Sequence, residues 1–204
     1  IRLSNEGKSE LVAAANPHAA KAGAEILAAG GSAIDAAIAA QLVLNLVEPQ
    51  SSGIGGGGFL LYFDSKDKSL VSYDGRETAP AAATPSMFLR SDGSTPGYIE
   101  ALEGGRAVGV PGLLRMLEMA HRASGKLPWP DLFVPAIELA DAGFLVSPRL
   151  NALVSRVPTL ARSPSAARYF LDSDGMPREV GTQLINNEFA QTLRTIAVGG
   201  SAIF

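Results

Sequence analysis

The sequence predicts an α+β fold in which helices and strands pack in close layers. Three observations lead there. Hydrophobic residues make up 47% of the chain and charged residues 18%, a balance that supports a sizeable core and excludes a disordered tail. Small residues are abundant, with 22 glycines among 204 residues and an alanine-rich run over 33–40, and small side chains let backbones approach closely. Two apolar runs within 59–73 have strand character and lie between helical segments.

The elements follow in order. Residues 11–15 form a short apolar run, readable as a buried strand or as the lead-in to a helix. Asn16 suits an N-cap and Pro17 the first helical position, and helix formers continue to Ala29 before Gly30-Gly31 stops them. Ser32 restarts the chain with Asp35 three residues on, a weaker relative of the capping box. Residues 33–47 read as a second helix, apolar nearly all round and therefore buried on most sides, and Glu48-Pro49 ends it. After a glycine-rich stretch, 59–63 reads as a strand, 64–68 as a charged turn and 70–73 as the returning strand. Phe59, Leu61 and Phe63 alternate with Leu60 and Tyr62, so both faces are apolar and the hairpin is expected to be buried on both, inside a central sheet. Residues 75–110 are rich in loop formers, without linker composition that would force a domain boundary. From Pro111 the pattern is helical: Leu113, Leu114, Leu117 and Ala120 share a face, and Gly125 ends it. Asp131 is placed to cap a helix through Val134, Ile137 and Ala140 to Gly143. Ser147-Pro148 starts a short helix, and Asn186 or Asn187 caps a last one through Phe189, Leu193 and Ile196, stopped by Gly199-Gly200.

Composition removes several function classes. Lys plus Arg is 17 and Asp plus Glu 20, a net charge of −3, which is no footprint for nucleic acid. Without cysteine there is no disulfide, thiolate metal site or cysteine nucleophile. His18 and His121 are the only histidines, too few for a multi-histidine metal site. No uncharged apolar run reaches the ~18 residues of a membrane span. No signal peptide is visible, and a mature secreted protein and a cytoplasmic one both fit.

Gly53, Gly55 and Gly58 match G-x-G-x-x-G. The order here is helix, glycines, strand, whereas a pyrophosphate site needs strand, glycines, helix. The glycines are read instead as letting a strand lie against other backbone, or as lining a site where a substrate approaches main chain. Arg76, in Asp74-Gly75-Arg76-Glu77-Thr78-Ala79-Pro80, carries a planar fork that suits a carboxylate; composition alone reads it as solvated or structurally paired. No G-x-S-x-G is present. His18 at a helix start and His121 at a helix end read as surface or terminus residues, and Asp74 and Glu77 as solvated loop carboxylates.

Longer motifs carry a family resemblance. They are Val12-Ala13-Ala14-Ala15-Asn16-Pro17, Ala22-Gly23 with the run 26–39, Val47-Glu48-Pro49-Gln50-Ser51-Ser52-Gly53-Ile54-Gly55-Gly56-Gly57, the Arg76 motif, Val108-Gly109-Val110-Pro111-Gly112, Leu127-Pro128-Trp129 and Pro135-Ala136-Ile137-Glu138-Leu139-Ala140. In this order, over nearly the whole chain, they resemble the N-terminal part of γ-glutamyltranspeptidases. The resemblance implies one domain, 1–204, that is the N-terminal portion of a large subunit. It implies an αββα sandwich of the N-terminal nucleophile hydrolase type, incomplete in this chain.

The resemblance also implies an enzyme, a γ-glutamyltransferase or glutathione hydrolase, made as a precursor that cuts itself in two. The small subunit's new N-terminal threonine would be the nucleophile, with its own α-amine as base. It would take the γ-glutamyl group of glutathione or a similar compound and pass it to water or an acceptor amine. Arg76 would bind the α-carboxylate of that group, with no metal or cofactor involved. The partners implied are the rest of the large subunit and the small catalytic subunit, and the location is periplasmic or secreted. Thr78, Thr84, Thr95, Thr159, Thr182, Thr192 and Thr195 lack the nearby histidine of the family's nucleophile motif. The catalytic threonine is therefore expected outside this chain, which alone is expected to be inactive, and the family's oxyanion glycines are not assigned to 55–58. The alternatives are a related acylase or amidase taking another acyl group, such as glutaryl, a noncatalytic subunit, and, remotest, a nucleotide-binding module.

Overall fold

In the computed structural model, which describes residues 10–102 and 104–204, the elements in chain order are α1 (Pro17–Ala28), α2 (Ala33–Val47), β1 (Phe59–Asp64), β2 (Ser69–Asp74), α3 (Tyr98–Leu102), α4 (Leu113–Ser124), α5 (Val134–Ala142), β3 (Phe144–Leu145), α6 (Pro148–Val154), α7 (Pro164–Phe170), β4 (Gln183–Leu184) and α8 (Asn187–Gly199). The chain divides into two compact units, 54–117 and the remainder. The first boundary falls in the Gly/Ser-rich stretch 51–58, and the second falls inside α4, where the composition does not change.

In the larger unit the helix starts are set by local chemistry. Asn16 stays extended and its Oδ1 accepts the His18 N–H at 3.0 Å. The capping box of α2 is complete: Ser32 Oγ accepts the Asp35 N–H at 3.1 Å, and Asp35 Oδ2 accepts the Ser32 N–H at 2.8 Å. Ser147 and Asn186 cap α6 and α8 as expected. The apolar α2 is a core helix, with Ile38 and Leu42 fully buried and Val43 and Val47 1% exposed. α1 lies close against it, since a methyl on Gly23 would stand 3.1 Å from the Ala36 carbonyl.

Four expectations need correction. The run 11–15 is not a buried strand: it forms no strand and leads into α1, the other expected reading, and Leu11 is 75% exposed. Asp131 caps nothing: it lies inside a 3-10 turn, Trp129–Phe133, that runs directly into α5, so no side-chain cap is made there. His121 does lie in the last turn of α4, as expected, but it is not a surface residue. Gly125, where a methyl would strike the imidazole at 2.3 Å, lets the chain fold back over the ring. The His121 side chain is only 15% exposed, its Nε2 meets the Leu127 carbonyl at 2.8 Å, and it packs on Trp129.

The fourth correction concerns the hairpin, in the smaller unit. β1 and β2 pair antiparallel in the register Phe59↔Asp74 to Asp64↔Ser69. Asp64 and Asp67 tighten the turn by accepting the N–H groups of Lys66 and Ser69. Leu60 and Tyr62 are half-buried, but Phe59, Leu61, Phe63 and Leu70 are 57 to 70% exposed. The expected burial on both faces is not met, because nothing among the described residues covers that face.

The fold class is α+β, with helices beside two antiparallel two-stranded sheets, β1–β2 and β3–β4. The described residues do not close a sandwich. No helix among them is long and apolar enough to cross a membrane.

Candidate functional site

The smaller unit holds Arg76 in a framework of glycines. β2 ends at Asp74, and the ladder continues one pair further: Gly58 N–H donates to the Gly75 carbonyl at 3.2 Å and Gly75 N–H to the Gly58 carbonyl at 2.9 Å. On the other side, Thr78 and Val110 exchange hydrogen bonds at 3.3 and 2.8 Å. The Gly112 and Leu113 N–H groups both donate to the Gly56 carbonyl at 3.2 Å. Residues 75–78 thus lie between 56–58 and 110–112. Side chains would not fit there. A methyl on Gly112 would stand 2.4 Å from the Gly75 carbonyl, and one on Gly75 would stand 2.7 Å from Met116 Cβ. The glycine-rich run therefore brings a strand against neighbouring backbone, and it leads into β1 rather than a helix, so no pyrophosphate cradle forms.

Arg76 leaves this framework pointing outward. Asp74 Oδ1 accepts its backbone N–H at 2.9 Å. Its side chain is 71% exposed, and Nε stands 3.3 Å from Glu77 Oε2. Among the described residues neither terminal nitrogen of Arg76 has a partner. The guanidinium is therefore held on its inner edge and open on its outer one. That outer edge matches a carboxylate in geometry and in charge.

Of the residues singled out in the sequence, Arg76 and the glycines come together. Glu77, read there as solvated, is paired with Arg76; its only sequence signal was adjacency. No threonine side chain among the described residues hydrogen-bonds a histidine. A cavity of about 600 Å³ in the larger unit is lined by Arg168, Tyr169, Arg178 and Glu188. Its cations are already answered: Arg178 donates to the Tyr169 and Arg168 carbonyls, and Arg168 stands 3.8 Å from Glu188. Arg76 is the better candidate.

Known proteins share this arrangement of sequence and fold. A family model described as gamma-glutamyltranspeptidase matches residues 19–204. The chain is 41% identical over 198 residues to the glutathione hydrolase proenzyme of Bacillus subtilis (strain 168), covering 97% of this chain and 34% of that protein. It is 38% identical over 201 residues to the acylase ACY 1 proenzyme of Pseudomonas sp. (strain V22), covering 95% of this chain and 36% of that protein. The crystal structure of the γ-glutamyltranspeptidase of Helicobacter pylori superposes with a TM-score of 0.89 at 30% identity, over 96% of this chain and 56% of that one. The chain spans about a third of the length of the curated relatives it matches.

Proposed function

The chain belongs to the γ-glutamyltranspeptidase family, and on that basis we propose that it forms the donor-binding part of a γ-glutamyltransferase or glutathione hydrolase. The observation that carries the reading is the unshared outer edge of Arg76. The α-carboxylate of a γ-glutamyl group accepts two parallel N–H bonds from that edge, which fixes both position and orientation. The γ-carbonyl is then held at a set reach from the arginine, where proximity counts most for the rate.

The nucleophile is a threonine from outside residues 1–204 whose own α-amine removes its hydroxyl proton. Attack on the γ-carbonyl forms the acyl ester, and the leaving amine departs with the proton. Water or an acceptor amine then attacks the ester and restores the threonine. The remaining large-subunit segment and a small catalytic subunit are the partners in this reading, and the protein works in the periplasm or outside the cell.

A second reading, an acylase taking another acyl group, is favoured by the likeness to the Pseudomonas acylase. The two separate on the full-length protein with γ-glutamyl and glutaryl anilides. A glutaryl group keeps the carboxylate that Arg76 would hold but lacks the α-amine. Faster aniline release from the γ-glutamyl compound is the expected result. Preference for glutaryl would establish the acylase, and release from neither would make the protein a noncatalytic subunit.

A further inference from the structure

We infer that Gly57 and Gly109 are positioning residues for Arg76, acting through Glu77; this rests on Arg76 as the carboxylate site. The Glu77 side chain is two-thirds covered, at 33% exposure, and has a glycine against each end. A methyl on Gly57 would stand 2.5 Å from Glu77 Oε2 and 2.9 Å from its Cδ; one on Gly109 would stand 2.9 Å from Glu77 Cβ. The carboxylate therefore lies over Gly57 and the root of the side chain over Gly109. Neither glycine is among those with positive φ, so backbone conformation does not require glycine at either place. What both supply is room.

The slot has a chemical consequence. An arginine this exposed would sample many rotamers and would lose that freedom on binding a donor. Glu77 Oε2, 3.3 Å from Arg76 Nε, anchors the inner edge and turns the outer fork toward a ligand before it arrives. A methyl at Gly109 meets Glu77 Cβ, which cannot swing aside unless the backbone of residue 77 moves. A methyl at Gly57 meets the carboxylate itself and also the Gly75 carbonyl, at 2.6 Å. The methyl at Gly109 displaces the group that aims the arginine, and the one at Gly57 also presses on the backbone just before Arg76, so Gly109 is the cleaner probe.

The test uses the full-length enzyme with two donors, γ-glutamyl anilide and 4-aminobutyryl anilide, which has the same chain and amine but no α-carboxylate. Gly109→Ala should raise KM for the γ-glutamyl donor ~3- to 5-fold, a fraction of the loss expected from Arg76→Ala, leaving kcat/KM for the 4-aminobutyryl donor within about twofold. Gly57→Ala should do the same. An unchanged γ-glutamyl KM in both variants, or equal losses on both donors, would overturn the inference. If both variants fail to fold, Glu77→Gln decides, since it fills the slot but weakens the hold on Nε. It must reproduce the selective rise in KM, and a wild-type KM would overturn the inference. Arg76→Ala, run in parallel, separates the two levels. If it leaves the preference for the γ-glutamyl donor intact, the carboxylate reading itself fails. If it abolishes the preference while the glycine variants keep it undiminished, only the glycine inference fails.

Discussion

An arginine that is 71% exposed ordinarily spends its charge on water, and what sets Arg76 apart is the neighbour on its inner edge. Arg76→Ala in the full-length protein should remove a charge-assisted bidentate contact of ~1.5–3 kcal/mol, a ~10- to 100-fold fall in kcat/KM for a γ-glutamyl donor. Arg76→Lys should recover little, because an ammonium cannot reproduce the fork. Steady-state kinetics within about twofold of wild type for either variant would count against the role.

Asp35 makes the opposite case, a carboxylate with no exposure at all. Burial pushes its pKa up, but the N–H groups of Ser32, Lys126 and Leu127 and the Ser32 hydroxyl together outweigh burial and hold it below the ordinary carboxylate value. A carboxyl lowered in the folded state contributes stability that is fully present above its unfolded pKa of ~3.9 and is lost as pH falls through the folded value. Asp35→Ala removes a cap and leaves buried N–H groups unanswered, so it should cost about 3 kcal/mol near neutral pH. In denaturant titrations the gap between wild type and variant should narrow below about pH 4; a constant gap would contradict the assignment. The Ser32–Asp35 pairing was legible in the sequence because it spans three residues. The bonds to Lys126 and Leu127 were not, because these residues lie 91 and 92 positions further along the chain.

Among the elements, legibility followed length and local chemistry. α2 shows its burial in a composition that is apolar on every side, and α1, α2, α6 and α8 show their starts in capping side chains. α3, with five residues, and β3 and β4, with two each, are too short to display a period. Their form is set by tertiary contacts, such as the pairing of Phe144 with Leu184. The hairpin was legible as strands and turn but not in its burial, because alternation reports which residues share a face and not what covers it. Phe59, Leu61, Phe63 and Leu70 leave an apolar face beside strand edges that no strand among the described residues pairs with, a combination that promotes association. A polypeptide of residues 1–204 alone should therefore self-associate and bind a hydrophobic dye. Leu61→Lys with Phe63→Lys should reduce both without changing helix content. Sedimentation as a monomer before any substitution would show that the face is covered.

For the whole molecule, the family resemblance was legible in long ordered motifs, and part of them falls where a side chain would strike neighbouring backbone. Gly75 and Gly112 touch main chain to main chain, and Arg76 stands directly between glycine-dependent contacts. The division into two units was not legible, because one of its boundaries falls inside α4 and carries no composition change. Residues 1–204 alone should release no aniline from any γ-glutamyl donor, since Ile1 has no hydroxyl and no threonine side chain among the described residues is hydrogen-bonded to a basic side chain. Activity from that polypeptide would require a different nucleophile.

The central claim is that Arg76 reads the α-carboxylate of a γ-glutamyl donor, and one ratio tests it most directly. In the full-length protein, kcat/KM for γ-glutamyl anilide is divided by kcat/KM for 4-aminobutyryl anilide, before and after Arg76→Ala. The expected result is a strong preference for the γ-glutamyl compound that falls ~10- to 100-fold in the variant, with the loss confined to the donor that carries the carboxylate. A ratio that Arg76→Ala leaves unchanged would contradict the claim.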